Sequence, residues 1–86
     1  MAVKSLLGMV VTGRQFVSGV HSLPHALHLI CENASLADLC KVQPVFLEQA
    51  RWWLSGYAER ERWLQLSDAL AEEIEMLSAV EASAWQ

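Results

Sequence analysis

Four residues in the first half of the chain carry metal-ligand chemistry at helical spacing: His21, His25, His28 and Glu32, separated by four, three and four positions. Imidazoles and a carboxylate on one helical face offer a site for zinc or another transition metal, and an open coordination position would make that site catalytic. The surrounding pattern argues for a plainer role. Ser22 reads as an N-cap and Pro24 as a first-turn residue, which puts His21 ahead of the helix and leaves His25, His28 and Glu32. Those three lie opposite Leu23, Leu27 and Ile30, where any amphipathic helix places polar side chains. The expectation is therefore no metal and no cofactor, with His25, His28 and Glu32 as the alternative ligand set.

Other catalytic patterns are weaker still. A Cys31–His28 pair would need an orienting group and an oxyanion site, and neither is marked in the sequence. Cys31 and Cys40 are the only cysteines, nine positions apart, and read as reduced, semi-buried thiols. Carboxylates are plentiful towards the end of the chain, but acid–base work needs them desolvated in a cleft, and these fall on a solvated face. The early glycines match neither a phosphate-binding loop nor a dinucleotide fingerprint. The expectation is that this is not an enzyme.

Composition narrows the partners. In 86 residues there is room for one small domain, and 53% of them are hydrophobic, including four Trp. The formal charge of −4 is uneven: residues 1–31 hold Lys4 and Arg14 and no acid, whereas Glu59 to Gln86 holds seven acids against Arg60 and Arg62. Six scattered cations make no phosphate-binding track, so no nucleic acid is expected. Ser35–Lys41 followed by Pro44–Leu47 has the outline of a helix-turn-helix. Its turn is too short, however, and Glu48, Trp52 and Trp53 stand where base-reading groups belong. The apolar run Leu6–Val11 is too short to span a bilayer and makes a poor signal-peptide core, so no membrane partner and a cytoplasmic location are expected.

The elements that would position these residues are helical. Leu6, Val10, Gly13, Val17 and Val20 share a stripe with Met9 and Phe16 beside it, predicting a helix over about Val3–Val20; its rival is a hairpin turning at Gly13-Arg14. A second helix spans Leu23–Glu32 and stops near Asn33. Ser35 and Asp38 form a capping box that opens a short helix to about Lys41. Gln43-Pro44 then breaks the chain, since a residue before proline avoids the α region, and a last helix starts at Pro44.

That last helix is expected to run to about Ala82. At 100° per residue, Val45, Trp52, Trp63, Leu70 and Leu77 fall on one line, and Phe46, Trp53, Tyr57 and Leu64 on a second. Adjacent Trp52 and Trp53 diverge by the same angle, so burying both requires apolar partners on two sides. A continuous rod of this length would measure about 58 Å, long for so small a domain, and Gly56 and Leu66-Ser67-Asp68 are the candidate breaks. Beyond Leu66 a single apolar line persists, with Asp68, Glu72 and Glu75 opposite.

The chain is thus expected to be a single all-α domain of three to five helices, a small helical bundle with a long C-terminal helix. It is expected to bind another protein, or a second copy of itself, through Trp52, Tyr57, Arg60, Trp63, Leu66, Leu70 and Leu77, because aromatic residues and Arg dominate interface cores. Trp85 is a further candidate for an exposed or partner-bound ring. An adaptor, an inhibitor or regulator, or a chaperone-like protein would each have this composition.

Overall fold

The computed structural model describes residues 6–32 and 34–84. They form four helices: α1 (Leu6–Val17), α2 (Leu23–Cys31), α3 (Leu36–Arg51) and α4 (Ala58–Ala84). The expected positions 3–5, Asn33 and Trp85 lie outside the described residues.

The first segment is a helix, not a hairpin. Its buried side is Met9, Thr12, Gly13 and Phe16, with Val10 and Val17 packed against the core and Leu6 and Val20 exposed. The inward face is therefore turned by roughly 90° from the Leu6–Val10–Val17 line. Gly13 explains the rotation. A methyl group at this position would sit 2.9 Å from Trp63 Cζ3, 3.1 Å from Phe46 Cε1 and 3.2 Å from Leu66 Cδ2. Only a residue without Cβ lets α1 cross this close to α3 and α4. The helix ends in a Schellman motif: Val20 N–H donates to the Gln15 carbonyl at 2.8 Å and Gly19 N–H to that of Phe16 at 3.0 Å, with Gly19 at φ 89°.

Both expected N-caps form. Ser22 Oγ accepts from His25 N–H at 3.3 Å, with Pro24 in the first turn of α2. Ser35 Oγ accepts from Asp38 N–H at 3.1 Å while the Asp38 carboxylate accepts from Ser35 N–H at 3.2 Å, completing the box that opens α3.

Pro44 does not start the last helix; it lies inside α3. Leu39, Val42, Phe46 and Ala50 form one buried stripe that passes through the proline without a change of phase. A proline in a helix interior costs about 3 kcal/mol. Burying Leu39, Val42 and Phe46 contributes about 1.5–3 kcal/mol each, so packing outweighs the local preference. Pro44 is also on the exposed side of α3, where water meets the carbonyl left without an N–H.

The two largest helices, α3 and α4, share the most extensive interface. Its apolar part centres on Phe46 and Trp63, ring centroids 5.7 Å apart, with Leu66 and Leu70 along α4. One polar link lies within it: Gln43 Nε2 donates to the fully buried Ser67 Oγ at 2.8 Å. No buried side-chain polar atom among the described residues lacks a partner.

Gly13→Ala is expected to destabilise the protein by up to about 2 kcal/mol: overpacking costs about 1–3 kcal/mol and the gain in helix propensity offsets about 1. Ser67→Ala leaves the Gln43 amide without its acceptor and is expected to cost about 1 kcal/mol. Urea unfolding followed by Trp fluorescence measures both; a Gly13→Ala protein more stable than the parent by about 1 kcal/mol, the full helix-propensity gain, would contradict the close crossing.

Candidate interaction surface

The last turn of α3 gives out at Arg51, and the next six residues reverse the chain into α4. Trp52 is the C-cap, still in the αR region at φ −74° and ψ −13°. Trp52 N–H bonds to the Gln49 carbonyl and Trp53 N–H to that of Ala50, each at 3.2 Å, so the helix tightens as it ends. Gly56, at φ 98°, supplies the left-handed residue that turns the chain back. Of the two candidate break points the one at Gly56 is used, and α4 runs unbroken through Leu66-Ser67-Asp68.

This break corrects the reading of the tryptophan pair. Trp52 and Trp53 are not on a continuous helix clasped from several sides; they sit on a turn at one end of the molecule. Trp52 is 77% exposed, Leu54 74% and Tyr57 50%. Trp53 is 37% exposed and packs against Tyr57, centroids 5.8 Å apart, while its carbonyl accepts from Arg60 Nη1 at 2.9 Å. Arg60 thus fastens the aromatic turn to the first turn of α4. Beside the turn, Trp53, Trp63, Arg14, Val17, Gln49 and Glu59 contribute to the lining of an open cleft of about 320 Å³.

The other expected contact residues divide by depth. Trp63, Leu66 and Leu70 are buried in the domain's own core at 3%, 0% and 0% exposure. They are corrected from contact anchors to fold residues, because α1 and α3 already cover the side of α4 they occupy. Leu77 is exposed, on the stretch of α4 that follows Ile74, which still packs against the core. Trp52, Tyr57 and Arg60 come together at the turn. Trp53 and Leu54 belong with them and were absent from the expected set; the signal was present in Leu54-Ser55-Gly56, a turn-forming run beside two large rings.

The charged run Glu59-Arg60-Glu61-Arg62 also behaves differently from a self-paired helical turn. Arg60 and Arg62 both donate to backbone carbonyls, Arg62 Nη1 reaching the Val17 carbonyl at 3.0 Å and tying the end of α1 to α4. The ion pair among the described residues is Glu48–Arg51 at 3.6 Å, with both side chains more than half exposed.

The histidines and Glu32 do not assemble into one ligand set. His21 Nε2 hydrogen-bonds the Gln15 amide oxygen at 3.1 Å and its ring packs against His25 at 4.9 Å. Glu32 is the C-cap of α2 at ψ 121°, so its backbone leaves the helix that would have aligned it with His25 and His28. No group of three or more His, Cys, Asp or Glu among the described residues is arranged to hold a metal ion. His25, His28 and Glu32 are accordingly withdrawn as a ligand set. Cys31 is half-buried and Cys40 exposed, and neither is in a disulfide. No helix among the described residues is long and apolar enough to cross a membrane.

The chain matches no protein-family model, no curated protein and no solved structure. The surface is therefore defined by its geometry and chemistry alone.

Exposure separates surface anchors from core. Trp52→Ala and Leu54→Ala are expected to change unfolding free energy by no more than about 0.5 kcal/mol, against about 2–5 kcal/mol for Leu66→Ala. Thermal melts of the three variants test the division, and a large loss at Trp52 would return it to the interior.

Proposed function

We propose that this chain is a small non-enzymatic protein-binding module, an adaptor, inhibitor or regulator, or chaperone-like protein, that acts through the Trp52–Tyr57 turn. The observation that carries the proposal is the exposure of four large apolar side chains, Trp52, Trp53, Leu54 and Tyr57, within six consecutive residues. Leaving such a group in water forgoes stabilisation that a partner's pocket would recover, and contiguous exposed patches of this kind mark interaction sites.

The composition of the turn supports a protein partner. Trp, Tyr and Arg are the residues over-represented among interface positions whose truncation costs most, at about 2 kcal/mol or more. Here Trp52, Trp53, Tyr57 and Arg60 occur together, and the Arg60–Trp53 hydrogen bond ties the turn to the first turn of α4. A tethered turn loses less conformational entropy on docking than a free one. The open cleft beside Trp53 offers a partner side chain a seat between α1 and the turn. The partner is a different protein or a second copy of this chain.

The test compares the parent with the Trp52→Ala, Leu54→Ala double variant. The parent is expected to self-associate in light scattering or to retain a specific protein in pull-downs from its native organism, and the double variant to lose that behaviour at unchanged helicity. A strictly monomeric parent whose protein recovery is the same as the variant's would defeat the proposal.

A further inference from the structure

The second unpartnered surface is the end of α4. Ile74 is the last residue of this helix that packs against the core. Every side chain described from 75 to 83 is exposed, although the helix continues to Ala84. Residues 75–84 therefore extend the rod by about 15 Å past the packed part, consistent with a molecule 45 Å long and 19 Å in its thinnest direction. The apolar stripe does not end where the bundle does. Leu70 in the core and Leu77 beyond it share a line, and Met76 and Val80, 61% and 66% exposed, widen the stripe to one side.

The charge that α4 itself carries beyond Arg62 has one sign. From Trp63 to Gln86 the chain has five acids, Asp68, Glu72, Glu73, Glu75 and Glu81, and no Lys, Arg or His. The last turn of α4 contains no basic residue, so nothing in it offsets the negative end of the helix dipole. A stretch held by propagation from the packed turns, with like charges and an uncompensated dipole, gains from any cation placed beside it.

The geometry points to a specific occupant: a cationic amphipathic helix of another protein, laid along residues 73–84 with its apolar side on Met76, Leu77 and Val80 and its Lys or Arg side chains against Glu72, Glu73 and Glu81, the acids within or at the edges of that stripe. Helix-in-groove docking of this type reads anchors at i, i+3 and i+4 spacing, which is the spacing of Leu77 and Val80 and of Met76 and Val80. A second copy of α4 is the poorer occupant, because pairing two such helices sets carboxylates against carboxylates. The same charge repels an anionic membrane surface and nucleic acid. The inference rests on the reading of the chain as a protein-binding module but uses a surface apart from the aromatic turn.

The probe is a fluorescein-labelled peptide of about 18 residues with Leu at helical spacing and Lys elsewhere. Its controls are a scrambled peptide of the same composition and a peptide with Glu in place of Lys. Titrated with the full chain, the amphipathic Lys peptide is expected to bind at least about tenfold more tightly than either control, and hydrogen exchange across residues 75–84 to slow on binding. Leu77→Asp and, separately, Val80→Asp are expected to weaken it at least about tenfold. Both variants add negative charge, so a loss of binding isolates the apolar contact from bulk attraction. Val80 touches nothing in the core, so its variant keeps the fold even if Leu77→Asp does not.

Equal binding of the scrambled peptide, equal binding of the Glu peptide, or no binding of the Lys peptide would each overturn the inference. So would self-association of the parent that Val80→Asp abolishes, which would make a second copy the occupant. The Trp52→Ala, Leu54→Ala variant distinguishes the two surfaces. It is expected to bind the Lys peptide as the parent does, so failure at the α4 tail leaves the proposal for the turn standing, and the reverse.

Discussion

The fold depends on one crossing. At Gly13 the backbone of α1 lies against the Trp63 indole, the Phe46 ring and a Leu66 methyl group, so three of the four helices meet at a single point. The crossing puts the largest side chain of the domain inside it and leaves α1 no other rotation about its axis. With Met9 and Phe16 one turn to either side, α1 closes over the α3–α4 interface. The absent Cβ at residue 13 and the bulk of the side chain at residue 63 are complementary: a domain this small gains its core by bringing helices close enough for one indole of α4 to meet both α1 and α3.

Filling the core with Trp63, Leu66 and Leu70 uses the inner side of α4 from its second turn to its fourth. What remains for contact is at the two ends of that helix. At its start, the chain has to reverse between α3 and α4, and the reversal places Trp52, Leu54 and Tyr57 where no helix of the domain can cover them. At its finish, α4 outlasts α3, α2 and α1, and the apolar line that served the core continues into solvent. The second surface follows from the mismatch between a 27-residue helix and shorter partners of 9, 12 and 16 residues.

The two ends also differ electrically. Arg14, Arg51, Arg60 and Arg62 cluster near the aromatic turn among Glu48, Glu59 and Glu61, and two of those guanidinium groups are committed to backbone carbonyls. Beyond Arg62, α4 itself carries acids alone. Charge of one sign beside an exposed apolar stripe discourages self-pairing while favouring partners of opposite sign, a separation that a mixed surface would not provide.

Much of this was legible in the residues. Period and caps are local properties: the stripe spacing in each segment, the Ser22 and Ser35 caps and the helix-rather-than-hairpin choice for the first segment needed only neighbouring residues. The solvated histidine row and the narrowing of the apolar face beyond Leu66 were visible in the same way. Three things were not. Pro44 looked like a boundary because its local preference is real; the Leu39–Val42–Phe46–Ala50 stripe overrode it with burial that only α4 and α1 supply. Trp52 and Trp63 looked like one line because helical phase was carried across a turn, although Gly56 marked a place where phase is lost. The division of the apolar residues into core and surface could not be read at all, since Leu66 and Leu77 are the same residue on the same side of the same helix. What decided between them was where the other three helices end, a matter of packing between segments distant in sequence.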